Sequence, residues 1–344
     1  NYNTTDTNGD GLSDVYNQLI TNSFGNFSIS TSLIRTAFNS SDEVRSAAFD
    51  EFKANRLVIA NRLAREFYGT TNFPTDADGF PVGFGKTNQA VLLPAIIPPY
   101  QGTDADNISL RAFRDVPIPN WTLKYTGLMN LKWFKKHFNR FSLSNGYTAS
   151  YTINQFRTNL DYDPDNPDEM DQGGNFKNET LYTNVALVEQ FSPLIRFDFE
   201  MKNSLNILAE IRTDRLLSLS FDNNLMTENK GSEYILGVGY RFKDVRIRSK
   251  LAGARQVITS DLNMKADVSV RDNKTIIRYL DLDNNQVTAG QTLWSVRYSA
   301  DYAFSKNLTG IFYFDYTFSE YAISTAFPQT TLRSGITLRY NFGN

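Results

Sequence analysis

From Thr331 to Asn341 the chain changes character at every residue. Leu332, Ser334, Ile336, Leu338 and Tyr340 take one parity, and Phe342 continues it; Thr331, Arg333, Gly335, Thr337, Arg339 and Asn341 take the other. Successive side chains of a strand point to opposite faces, so this is a strand with one apolar face and one polar, charged face. A soluble sandwich can use such a strand, and a second feature is needed to choose. Tyr240-Arg241-Phe242, Tyr302-Ala303-Phe304 and Tyr340-Asn341-Phe342 each close an alternating segment with an aromatic pair on its apolar parity. Aromatic residues gathered at one height are what a membrane–water interface selects in a transmembrane β-barrel. The expected fold is all-β, an antiparallel transmembrane β-barrel wall.

Composition agrees with that reading and closes other routes. No apolar run approaches the roughly 20 residues of a membrane helix, and the mean hydropathy is −0.40. A barrel wall hides from that average, because each apolar residue is followed by a polar, lumen-facing one. Cysteine is absent among the 344 residues, which removes disulfides, thiolate metal sites and cysteine nucleophiles. The net charge of −2 gives no argument for nucleic acid as a partner. The first residue is Asn1, with no initiator Met and no signal peptide ahead of it. An exported barrel needs such a signal, so the expectation is a mature product or a fragment.

Three regions follow along the chain. Residues 1–24 are polar and carry Asp6, Asn8 and Asp10 at alternate positions, then Gly11, Leu12 and Asp14. This is the start of a calcium loop, with Asp6, Asn8, Asp10, the Leu12 carbonyl and Asp14 as ligands. The bidentate Glu of a full EF-hand would fall at Gln18, so the shorter extracellular type is expected, against the alternative of an Asx-rich turn. Residues 25–118 hold a strand at 26–38, an amphipathic helix over 42–67 and a long loop insertion. Ser40 and Glu43 form a capping box, and Phe49, Phe52, Ile59 and Leu63 recur at helical spacing. Arg56 and Arg62 interrupt that stripe, so the helix is expected to pack on a loop or a barrel mouth. Gly79 to Thr87 resembles a phosphate loop but has Phe80 where the first Gly belongs. Ala95 to Tyr100 reads as a packed extended segment.

Residues 119–344 form the strands, about nine from Trp121 and about ten with 26–38. Leu131 to Phe138 is a short amphipathic turn suited to an interface. The acidic run Asp161, Asp163, Asp165, Asp168, Glu169 and Asp171 reads as a solvated loop. Pro193 marks a bulge, and residues 243–261 read as a long basic connection. Arg196 with Asp198, Glu210 with Arg212, Lys265 with Asp267 and Arg297 with Asp301 share the inward parity. The three aromatic endings fall on every second strand, hence at one membrane face.

Several segments also resemble a known family. Phe113 to Trp121 (FRDVPIPNW), Leu131 to Leu143 (LKWFKKHFNRFSL), Glu189 to Ile195 (EQFSPLI), Arg271 to Arg278 (RDNKTIIR) and Phe52 to Arg62 (FKANRLVIANR) are similar to the C-terminal part of the SprA/Sov family. These are very large outer-membrane translocons of the type IX secretion system. The resemblance implies one arc of a giant barrel, of the largest size known. It implies export of folded cargo carrying a C-terminal secretion domain, in support of gliding motility and adhesin display. The implied partners are the remaining barrel strands, a PorV-like shuttle protein, a periplasmic plug protein, the cargo and outer-membrane lipid or lipopolysaccharide. Family members are far longer than this chain, so it reads as a C-terminal piece, ending like the terminal strand of an outer-membrane protein. Two other readings compete. One is a TonB-dependent or other nutrient transporter barrel. The other is an outer-membrane hydrolase, whose catalytic base would be His137, the single histidine; no catalytic role is expected.

Overall fold

The computed structural model describes residues 2–5, 9, 15–18, 22–39, 41, 42, 44–249, 256–282, 285–323 and 327–342, with residues 2–5, 15–18, 249 and 256 described by backbone alone. Two short strands, β1 (Tyr2–Thr5) and β2 (Val15–Gln18), pair with each other antiparallel. Everything else is organised by one ten-stranded sheet. Its strands are β3 (Phe24–Ser30), β4 (Trp121–Tyr125), β5 (Phe138–Thr158), β6 (Thr180–Met201), β7 (Leu205–Ser220), β8 (Leu225–Ser249), β9 (Gln256–Tyr279), β10 (Gln286–Ala303), β11 (Leu308–Tyr321) and β12 (Gln329–Tyr340). From β5 to β12 they follow chain order as an antiparallel meander. The fold is mostly antiparallel β-sheet. Among the described residues no helix is long and apolar enough to cross a membrane.

The partner of β5 on its other side is a composite strand. β3 pairs with Ser150 to Arg157 and β4 with Leu143 to Tyr147, both antiparallel, so they lie end to end. Between them the chain leaves the sheet at Ser30 and returns beside it, where the Ile118 N–H donates to the Ser30 carbonyl at 3.0 Å. Residues 31–120 are therefore an excursion from a single strand position. This corrects the strand expected at 26–38, which ends at Ser30 because the chain turns into α1 (Ile34–Ala37).

The excursion packs around α2 (Ala47–Tyr68). Its N-cap is Ser46, whose hydroxyl accepts from the Phe49 N–H, and Gly69 closes it in the left-handed conformation. The helix thus starts later than 42, and the Ser40–Glu43 box lies outside the described residues. Phe49, Phe52 and Ile59 are buried, as the helical spacing requires. Arg56 is buried with them, donating to the Leu280 and Lys86 carbonyls at 3.2 Å each. Ala95 to Tyr100 is packed but helical, not extended. Asn88 caps α3 (Gln89–Ala95) by accepting from the Ala90 N–H at 2.9 Å, and α4 (Ile97–Gln101) follows with Pro at its start, where no N–H is needed.

Two irregularities set the sheet's geometry. Around Pro193 the register shifts between Phe191 and Ile195, opposite a shift between Ser144 and Tyr147. The backbones approach closely there: a Cβ on Gly146 would stand 2.8 Å from the Ser192 carbonyl oxygen, so glycine is required. Residues 243–261 are not the long connection expected; β8 and β9 stay paired through Val245↔Ser260 to Ser249↔Gln256. A bulge between Phe242 and Val245, with Asp244 at φ 54°, shifts the parity and so conceals the continuing strand from an alternation count.

Candidate functional site

The sheet's two faces can be followed row by row through the register. Leu143, Phe197, Ala209, Leu236, Val268, Val296, Tyr316 and Leu332 stand opposite one another across eight strands. The row displaced by one residue holds Ser142, Asp198, Leu208, Gly237, Asp267, Arg297, Asp315 and Arg333. One face is apolar and the other polar because the period of two is kept in register from β5 to β12.

The apolar face is open over much of its area. Leu236 is 50% exposed, Val268 40%, Trp294 47%, Leu332 60% and Ile336 74%. Single exposed apolar residues are ordinary, whereas a contiguous sheet of them calls for a cover. The three aromatic endings lie at the same end of this face, their rings paired at 4.5 Å (Tyr240 and Phe242), 5.2 Å (Tyr302 and Phe304) and 4.8 Å (Tyr340 and Phe342). Tyr234 and Trp294 stand towards the other end. From Tyr234 to Phe242 the strand rises about 26 Å.

The polar face carries an unbroken chain of alternating charges. Arg140 meets Asp198 at 3.0 Å, and Arg196 bridges Asp198 (3.4 Å) to Glu210 (3.3 Å). Glu210 pairs with Arg212, which reaches Glu233 at 3.5 Å. Arg271 joins Glu233 (3.7 Å) to Asp214 (2.9 Å). Four arginines and four carboxylates across β5 to β9 thus balance to zero. Lys265 meets Asp267 at 2.9 Å in the next rows. Three of the four pairs expected from sequence are made. The fourth is not: Asp301 accepts from Asn263 at 2.8 Å, and Arg297 lies opposite Asp267 and Asp315.

At the far end of the same apolar face, charges interrupt the hydrophobic residues. Glu189, Arg215, Glu228, Lys230 and Arg278 all keep the apolar parity, and α1, α2 and α4 cover them. Arg215 donates to Glu189 (2.8 Å) and to the Thr36 carbonyl (3.0 Å). The Tyr147 hydroxyl donates to Glu189 at 2.9 Å and accepts from the Leu33 N–H at 2.8 Å. Arg278, fully buried, donates to Glu228 and to the Ser41 hydroxyl at 2.8 Å each, and to the Asp42 carbonyl at 2.7 Å. Burial alone would raise the Glu228 carboxyl, but Lys230, Arg278 and Ser41 outweigh it and hold it below the usual carboxylate range. Burial lowers the Arg56 guanidinium, partly offset by Asp281. The sequence reading missed this junction. Its signal was available as charged residues breaking the apolar parity at one end of adjacent strands.

The remaining expected sites fall as follows. Asp6, Asn8, Asp10, Leu12 and Asp14 lie outside the described residues. Within the described residues no group of three or more His, Asp or Glu side chains is placed to hold a metal ion. The acidic loop after β5 is ordered by its own side chains: Asp171 accepts from the Gly173 and Asn175 N–H groups, and Glu169 pairs with Lys177. His137 packs against Trp133 with ring centroids 4.8 Å apart and planes tilted by 39°, and its Nδ1 is 2.8 Å from the Trp133 carbonyl oxygen. Neither a protein-family model nor a curated protein matches the chain.

Proposed function

We propose that this sheet is an arc of a protein-conducting outer-membrane barrel, with its apolar face in lipid and its charge-balanced face lining the conduit. The observation that carries the reading is the exposed apolar band, bounded by aromatic residues and backed by a polar face in register. From Tyr234 to Phe242 is about the 9–11 residues that one barrel strand needs to span the hydrocarbon. Tilted by roughly 40°, that rise of about 26 Å gives about 20 Å of height, near the apolar band of about 25 Å in such barrels. Strands β8 and β9, of 25 and 24 residues, run well past that band.

The sheet is open, ending at β12 on one side and at β3 and β4 on the other. Unpaired strand edges in lipid are prohibitive, so further strands close the barrel. On this reading the barrel has more than ten strands. A lining of mixed, mutually neutralised charge favours passage of varied protein surfaces, whereas a single-sign lining selects ions or a charged solute. With the SprA/Sov-like segments, this supports type IX export of folded cargo in the outer membrane of a diderm bacterium. The attendant partners are a PorV-like shuttle protein and a periplasmic plug, and the wall itself has no catalytic role. The competing reading is a nutrient transporter, which needs a barrel of ordinary size with a plugged lumen.

Purification of the native complex decides between them. A mass far beyond a single ordinary barrel, with secretion partners and cargo attached, is the expected result. A closed barrel of ordinary size without such partners overturns the translocon reading.

A further inference from the structure

The turn between β4 and β5 is built for more than reversing the chain. After a 3-10 turn at Gly127–Asn130 comes α5 (Lys132–His137), followed at once by β5. Phe134 packs on Phe138 and Phe141 with ring centroids 5.5 and 5.0 Å apart, and Phe141 stacks on Phe199 at 5.7 Å. Phe141 and Phe199 belong to an apolar-face row that continues through Ile207, Val238, Ala266 and Tyr298. The helix therefore lies back against the apolar face, within two rows of Tyr240. Leu131 and Trp133 are more than half exposed.

Lys132, Lys135 and Lys136 are exposed on the same short helix. Among the described residues none of the three has a carboxylate partner. The acids closest in register are engaged: Asp198 with Arg140 and Arg196, and Glu200 with the Asn139 amide. Three cations without carboxylate partners thus share this short helix with an exposed indole, at the level of the aromatic endings. A helix of this composition lies in the plane of an interface, its rings in the acyl boundary and its ammonium groups at headgroup height.

We infer that α5 is a binding site for the headgroup of an anionic glycerophospholipid at the membrane edge. The phosphate would be held by Lys132, Lys135 and Lys136, with the glycerol and upper acyl chain against Trp133 and Phe134. This rests on the apolar face being in lipid. Each lysine near an anionic surface contributes about a fivefold preference, so replacing all three removes a preference of at least that size.

The test uses the complete barrel purified from its own membrane. Retained phosphatidylglycerol and phosphatidylcholine are counted by native mass spectrometry after exchange through a mixture of the two. The wild type is expected to retain phosphatidylglycerol at least about fivefold over phosphatidylcholine. Lys132→Gln/Lys135→Gln/Lys136→Gln is expected to lose that preference, and the corresponding triple Arg variant to keep it. Equal retention of the two lipids by the wild type overturns the site, whether or not the Gln variant assembles. In parallel, a barrel with Trp121→Phe and Trp294→Phe keeps Trp133 as this chain's tryptophan, its signal assigned by subtracting a Trp133→Phe control. It is placed in nanodiscs of brominated phosphatidylcholine or brominated phosphatidylglycerol. Stronger quenching by the second is expected. Equal quenching by both overturns the site while leaving the face in lipid, and no quenching by either overturns the membrane reading as well.

Discussion

The two halves of the apolar face obey different rules. Around Leu236, Val268 and Val296 it stays apolar and open. Around Glu189, Arg215, Glu228 and Arg278 it is charged and sealed by the excursion. Both halves belong to the same strands with the same parity. Protein buries charges on that parity by giving each one hydrogen-bond partners, as Glu228, Ser41 and Asp42 do for Arg278. Lipid offers no such partners. On the proposed reading, the position where charges begin on that parity marks where the hydrocarbon ends.

The comparison breaks most sharply at the sealed half. Arg278→Ala would leave Glu228 buried, with Lys230 at 3.3 Å as its remaining charge partner. Removing one member of a buried pair typically costs about 3–5 kcal/mol. The expected result is protease cleavage within residues 31–120 while the sheet stays intact. Unchanged protection would mean that the hydrophobic contacts of Phe49, Phe52 and Tyr100 hold the excursion without the ionic junction.

Next is the open half. Val268→Arg puts a charge on the apolar face in the middle of a row that crosses eight strands, and Ser269→Arg puts the same charge on the polar face. The first should cost roughly 2–4 kcal/mol if that row is near the bilayer midplane, and the second little. Folding yield in detergent or bilayer, read by heat-modifiable gel mobility, should fall for the first alone. Equal assembly of the two would show that the apolar face does not lie in lipid, and a loss for Ser269→Arg alone would reverse the two faces.

The sealed half should also respond to acid in a way the open half cannot. The Glu228 carboxyl is held below its ordinary value, so its contribution is fully present above about pH 4.5. It is lost as pH falls through the lower, folded value. Protection of residues 31–120 should therefore persist through mildly acidic pH and decline only below that range. Glu228→Gln should flatten the acid dependence. A decline centred near neutrality would point to a different group.

The sheet was largely legible because alternation of apolar and polar residues is a local signal, carried by each strand separately. Nine strands from Trp121 and the aromatic endings could be read that way. The bulge at Asp244 hid the paired extension of β8 and β9, since one extra residue inverts the parity. The composite strand was not legible, because only the return of Trp121 to the end of β3 reveals it, and that pairing is set by β5. The charged junction was readable in principle. Glu189, Arg215 and Glu228 fall on the apolar parity of three adjacent strands, but Arg215 and Glu228 find partners in Thr36 and Ser41, far away in sequence.

The smallest effect belongs to the polar face, and it bears most directly on conduction. Glu233 stands between Arg212 and Arg271 at 3.5 and 3.7 Å, with its side chain 18% exposed. Both arginines keep other partners, Glu210 and Asp214. Glu233→Gln therefore removes one carboxylate from a solvated network without stranding a cation, and such pairs contribute about 0–1 kcal/mol. Assembly and thermal stability should change little. The balance of the network should nevertheless move from zero to one net positive charge, so current through the reconstituted conduit should shift slightly towards anions, and less so as salt rises. In a wide protein conduit that shift stays small, because most of the lumen lies beyond a Debye length of about 10 Å at 0.1 M salt. A large change in selectivity from this single substitution would indicate a narrow lumen, and with it the nutrient-transporter reading.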